Sequence, residues 1–99
     1  MSYSVRFTPA AKADLERLYA FLVERDYQAA ERALDTISNA WRLLEQFPFS
    51  CRKADDANPF LRELIISFGH SGYVALFEIE DNATVTILAV RHQLEDDYF

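Results

Sequence analysis

The last third of the chain, Leu61 to Phe99, limits the fold most: LRELIISFGHSGYVALFEIEDNATVTILAVRHQLEDDYF. It holds three apolar runs separated by two tight turn signals. Leu61 to Phe68 reads as a strand. Gly69-His70-Ser71-Gly72 reads as a turn, Tyr73 to Ile79 as a second strand, and Asp81-Asn82 as a turn into Ala83 to Val90. Links this short join neighbours antiparallel. The run from Tyr73 is apolar on alternate positions (Tyr73, Ala75, Phe77, Ile79) and largely apolar between them (Val74, Leu76). Val85, Ile87 and Ala89 oppose Leu88 and Val90 in the same way. Strands apolar on both sides need cover on both faces.

The first half supplies cover for one face. Tyr3, Val5 and Phe7 alternate with Ser4 and Arg6, so Ser2 to Phe7 is expected as a short half-buried strand. Thr8-Pro9 then reads as an N-cap followed by proline at the first helical position, where its missing N–H costs nothing. Ala11, Leu15, Leu18, Tyr19 and Leu22 share one face of a helix expected to run to about Glu24. Asp26 caps a second helix, about Tyr27 to Gln46. Its stripe is Ala30, Leu34, Ile37, Trp41 and Leu44, flanked by Ala33 and Ala40. So short a link makes an antiparallel helical hairpin. Phe47-Pro48 ends it, and Phe49 to Pro59 is expected to be irregular. Two helices cover one sheet face, leaving the other for the C-terminal tail, a partner protein or a second copy.

Length and charge narrow the function. The 99 residues suit one domain, residues 1–99. A net charge of −6 argues against broad nucleic-acid binding, which needs a basic field. Cys51 is the sole cysteine, so no internal disulfide forms. Cys51, His70 and His92 lack metal-ligand spacing, so no metal or other cofactor is expected. No run approaches the roughly 20 apolar residues of a membrane span. The opening MSYSVRFTPAAK lacks a signal-peptide core. A cytoplasmic protein is expected.

Few residues suggest chemistry. Arg62 near the start of one strand and Arg91 at the end of another could hold phosphate or carboxylate, because the guanidinium fork donates in pairs. Whether they converge depends on strand register. Exposed arginines at strand ends are common, and this plain alternative stands beside the first. His92 is, with His70, one of two candidates for acid–base work, although a lone histidine is more often a hydrogen-bonded structural residue. Arg52 and Lys53 lie in the connecting segment, diluted by Asp55 and Asp56. No Ser/His/Asp order, phosphate-binding glycine loop or HExxH site occurs.

Taken in order, these segments resemble the ParE branch of the RelE/ParE toxins of type II toxin–antitoxin modules. The resemblance runs through VRFTPAAKADLERLYAFL, the alanine-rich AAERALDTISNAWRLLEQFP, LRELIISFGHSGYVALFEIED and the closing VTILAVRHQLEDDYF, in which Arg-His-Gln follows the last strand. It implies an α+β fold: an N-terminal strand, then an antiparallel helical hairpin packed on one face of a small, mainly antiparallel four-stranded sheet. It also implies a cognate antitoxin that neutralises the chain, either beside a homodimer or within a heterotetramer.

ParE-like toxins inhibit DNA gyrase without cleaving RNA. The resemblance therefore implies gyrase as target, no catalytic residue, and no direct nucleic-acid contact except through the antitoxin complex. Arg52, Lys53, Arg62, Tyr73, Arg91 and His92 form the expected target-binding set. RelE-like relatives instead cut messenger RNA on the ribosome. On that alternative, Arg62, Arg91 and the tail residue Tyr98 would be catalytic.

Overall fold

The computed structural model describes residues 2–69 and 71–93. Its order is β1 (Ser4–Phe7), α1 (Pro9–Arg25), α2 (Tyr27–Gln46), a 3-10 turn (Pro48–Ser50), β2 (Arg52–Asp55), β3 (Asn58–Phe68), β4 (Ser71–Ile79) and β5 (Thr84–His92). The α+β class and the hairpin on one sheet face are as expected. The sheet has five strands rather than four, in the order β1-β5-β4-β3-β2.

The extra strand, β2, lies inside the segment expected to be irregular. Arg-Lys-Ala-Asp has no apolar alternation, and all four residues are exposed. It forms because β3 offers it an edge, pairing Arg52 with Glu63 and Lys53 with Arg62. The Asp55 carboxylate accepts the Ala57 N–H at 2.9 Å and closes the turn between them. β3 also begins earlier than expected, at Asn58. Pro59 is tolerated there because the ladder is irregular between Lys53 and Asp55.

Both helix starts follow their sequence signals. The Thr8 hydroxyl accepts the Ala11 N–H at 3.1 Å, with Pro9 next, and Asp26 accepts the Ala29 N–H at 3.1 Å. The helices are tied at the surface by the Tyr19 hydroxyl, which donates to Glu31 at 2.8 Å. That bond leads the causes pushing the Tyr19 phenol up to about 12.

Helix residues Ala11, Leu18, Ala33, Ile37 and Leu44 bury against Leu64, Ile66, Ala75, Phe77, Ile79, Val85, Ile87 and Val90. Phe7 meets Trp41 edge-on at 5.4 Å, joining β1 to the second helix. Leu34, expected in the buried stripe, is exposed, and Ala33 takes its place. The face away from the helices is neither bare nor closed. Val74 and Ala89 are buried there, Leu61, Leu76 and Leu88 are half-buried, and Ile65 is 41% exposed.

β1 runs parallel to β5, from Ser4 against Thr84 to Phe7 against Ile87. Beyond Ile87, β5 outruns its short neighbour, and α1 covers the exposed edge. The Thr8 hydroxyl donates to the Leu88 carbonyl at 3.2 Å, and Asp14 accepts the Val90 N–H at 2.9 Å. A buried backbone group left without such a partner is costly. Glycine is required where β4 starts. A Cβ on Gly72 would lie 2.0 Å from the Ile66 carbonyl oxygen, so no side chain fits.

Replacing Asp14 by alanine is expected to cost about 1–3 kcal/mol, because the Val90 N–H loses its acceptor inside the structure. Urea unfolding measures it. A change within about 0.5 kcal/mol, the range of ordinary surface substitutions, would show that the edge is satisfied in another way.

Candidate functional site

Alternation and register decide where each basic residue points. On β3, Arg62 shares a face with Leu64 and Ile66, the helix side, and it pairs with Phe77 of β4. On β5, Arg91 follows the buried Val90 and pairs with Val74, which places it on the opposite face. Along β4 the two positions differ by three residues, and they are two strands apart. Strand spacings put their Cα atoms about 14 Å apart, with the sheet between the side chains. The two arginines do not converge.

Each is also engaged locally. Arg62 Nε donates to the Pro59 carbonyl at 2.7 Å. Its Nη1 donates to the carbonyls of Cys51 at 2.8 Å and Phe49 at 3.3 Å. Its guanidinium stands 5.2 Å over the Phe49 ring. One side chain thus ties the 3-10 turn, the start of β2 and the start of β3 together. Glu63, next along the strand, points to the other face and accepts from Arg52 Nε at 3.0 Å. Lys53 lies opposite Arg62 on the exposed edge strand. Arg91 Nη1 donates to the carbonyls of His92 at 3.3 Å and Gln93 at 3.4 Å.

Tyr73 and His92 form a separate group at the other end of the sheet. They are register partners, and their rings meet edge-on at 5.6 Å. Ser71 Oγ lies 2.9 Å from His92 Nε2, which gives the imidazole a fixed orientation. Tyr73 is buried beside Phe68, and burial pushes its phenol above the ordinary value. Tyr98 and His70 lie outside the described residues. Among the described residues, no group of three or more His, Cys, Asp or Glu side chains could hold a metal ion.

The expected six-residue set therefore divides into three places. Arg52 sits on the outer face of the β2 edge. Lys53 and Arg62 sit on the helix side of that edge. Tyr73, Arg91 and His92 gather at the end where β4 begins and β5 stops, split between two faces. The sequence reading missed the aromatic pair Phe49 and Phe60, whose rings meet edge-on at 6.2 Å. The usable signal was the recurrence of Phe beside Pro at Phe49 and Phe60, on either side of a charged run.

A helical hairpin over one face of a mixed five-stranded sheet, with its basic residues spread over both faces, defines a small α+β domain. The comparisons place it further. The family model described as the ParE toxin of the type II toxin–antitoxin system, parDE, matches residues 5–97, and the chain belongs to that family. It is 39% identical over 93 residues to Toxin RelE3 of Caulobacter vibrioides, covering 93% of this chain and 96% of that one. It is 34% identical over 95 residues to Toxin RelE1 of the same organism, covering 96% and 98%. A solved structure titled as the chromosomal ParDE system from P. aeruginosa shares the fold. The TM-score is 0.73 at 22% identity, over 92% of this chain and 96% of that one. The chain is thus the toxin type of a two-component module, and a cognate antitoxin is its implied partner. No described helix is long and apolar enough to cross a membrane.

Removing the Arg62 guanidinium should loosen the segment it ties. Burial holds the Cys51 thiol above its ordinary value, opposed by the Ser50 hydrogen bond and by the Arg62 charge. Alkylation of Cys51 should therefore be slow in the native chain and should rise at higher pH than that of an ordinary exposed thiol. In Arg62→Ala the lost charge pushes the thiol further up, so the rates are compared where the thiol is fully ionised; there alkylation should be faster, with about 1–3 kcal/mol lost on urea unfolding. Lysine should not restore either, because it lacks the planar fork. An unchanged alkylation rate of the fully ionised thiol together with unchanged urea stability in Arg62→Ala would refute the tie.

Proposed function

We propose that residues 1–99 act as a single cytoplasmic toxin domain that binds DNA gyrase, blocks its activity and is silenced by a cognate antitoxin. The observation that carries this reading is the separation of Arg62 from Arg91. Cleaving RNA requires several donors converging on one pentavalent phosphate. Here the two arginines lie on opposite faces and donate to the chain's own carbonyls. Protein binding makes no such demand, and a net charge of −6 suits a protein surface better than an RNA one.

On this reading Arg52 and Lys53, exposed on the edge strand, and Arg91 and His92, at the far end, are the target-binding residues. Arg62 acts through the loop it ties, and Tyr73 through the orientation of His92. The antitoxin complex forms as a heterotetramer or around a toxin homodimer. A second reading, ribosome-dependent cleavage of messenger RNA with Arg62, Arg91 and Tyr98 as catalytic residues, is favoured by one observation: two relatives carry the RelE name.

Purified chain freed of antitoxin should block gyrase supercoiling and leave messenger intact in a translation extract. The pair Arg52→Ala with Lys53→Ala should weaken the block roughly tenfold, equivalent to about 1.4 kcal/mol. Unaffected supercoiling at saturating protein, together with cut messenger, would replace this reading with the second.

A further inference from the structure

β2 is the last strand of the sheet, and among the described residues no strand pairs with its outer edge. All four of its residues are exposed. Alternate residues of an edge strand send N–H and C=O away from the sheet, a ready template for another strand. Short edges that carry lysine usually discourage such pairing. Here the order of charges turns away most strands and suits one. Arg52, Lys53, Ala54, Asp55 and Asp56 place two cations, a small neutral residue and two carboxylates in a row, and the run read backwards is its own complement.

Side chains directly opposite in an antiparallel pair share a face. Two copies of one strand therefore meet about a twofold axis only where the axis stands on a residue. An axis on Arg52 or Lys53 sets like cations opposite each other, and an axis on Asp55 or Asp56 sets carboxylates opposite each other, both destabilising. An axis on Ala54 sets Lys53 opposite Asp55 of the second copy and Arg52 beside its Asp56, each twice by symmetry. Only alanine then faces its own kind, and it is too small to hold the strands apart. About this axis either alternate set of outward N–H and C=O groups finds partners. The ladder irregularity puts its surplus residues on β3, so β2 keeps its alternation, and Lys53 and Asp55 share the helix-side face.

The chain alone leaves the cations of this edge unbalanced. Lys53 is the register partner of Arg62, one cation opposite another. Arg62 directs its donors to the Pro59, Cys51 and Phe49 carbonyls. Among the described residues neither cation has a carboxylate in ion-pair contact. The Asp55 carboxylate gives one oxygen to the Ala57 N–H and keeps the other for an ammonium.

We infer that β2 pairs antiparallel with β2 of a second copy of this chain, centred on Ala54, and joins two five-stranded sheets into one. An acidic segment would suit Arg52 and Lys53 but meet Asp55 and Asp56, and a basic segment would do the reverse. A second copy satisfies both halves of the run. Four residues a side make a small interface, so the pairing is weak, with a Kd of about 0.1–1 mM. Arg52 and Lys53 also belong to the proposed target-binding set, so self-pairing and target binding exclude each other. A chain that fails to pair can still block gyrase, so the two readings fail separately.

The test is a dilution series of the full chain followed by amide NMR, from about 2 mM to about 20 μM. Salt is held at about 0.15 M, where the net charge of −6 on each copy is screened. Residues 51–57 should give concentration-dependent shifts that fit a monomer–dimer equilibrium, and the tumbling time should rise with them. Lys53→Glu sets carboxylates opposite each other at both pairs and should weaken association at least about tenfold. Asp55→Lys should do the same by setting lysine opposite lysine. Labelled Lys53→Glu mixed with unlabelled Asp55→Lys should regain the shifts, because both pairs again join opposite charges. Each variant is checked by its spectrum to be folded. The lack of concentration-dependent shifts up to about 2 mM would overturn the inference, as would shifts centred on another surface. So would unchanged association in Lys53→Glu, or no recovery in the mixture. The dilution series needs no mutation, so it decides the question even if a variant fails to fold.

Discussion

β4 is hydrogen-bonded along both edges, to β3 from Leu61 to Phe68 and to β5 from Val85 to His92. That double pairing is the constraint on which the rest depends. Side chains alternate with period two except at one register shift, where Phe77 meets Ile87 and Leu76 meets Ala89, so fixing β4 against its neighbours assigns their paired residues to a face. Phe77, Ala75 and Tyr73 go to the helix side, and with them Arg62 and His92. Val74 goes to the other side, with Arg91. A slip of one residue would carry Phe77 and Ile87, both fully buried, out of the core, so the register is held by burial as well as by hydrogen bonds.

The helical hairpin follows from the unequal lengths of β1 and β5. β1 serves β5 only as far as Ile87. The next turn of chain must then supply an acceptor for Val90 N–H and a donor for Leu88 C=O, and Thr8 and Asp14 do both from the start of α1. Thr8 also caps the helix that carries Asp14. One threonine thus ends the strand, starts the helix and docks the helix on the sheet. This explains why strand, cap and proline follow one another so closely in the sequence.

Most of this architecture was legible. Thr8-Pro9 and Asp26 mark both helix starts, and the alternation from Tyr73 marks the central strand. β2 was not legible, because an edge strand of Arg-Lys-Ala-Asp buries nothing and so carries no hydrophobic period. Pro59 reads as a breaker, and only the ladder irregularity beside it lets β3 pass through. The site was less legible than the fold. Arg62 and Arg91 look equivalent in the sequence, each a cation at a strand end. Their parity relative to β4 separates them, and parity is set by pairing between distant segments. The link from Arg62 to the Cys51 and Phe49 carbonyls is likewise long-range. It depends on where a 3-10 turn happens to leave its backbone oxygens.

What results is a toxin-family domain whose basic residues serve different tasks. Arg62 braces a loop beside two exposed aromatic rings, and Arg91 belongs to the opposite face and the opposite end. The most direct test of that separation is a double-mutant cycle of Arg62→Ala and Arg91→Ala followed by urea unfolding. Two sites about 14 Å apart on opposite faces of the sheet should be additive within about 0.5 kcal/mol. A coupling free energy above about 1 kcal/mol would mean that they act as one centre, and the account would be wrong.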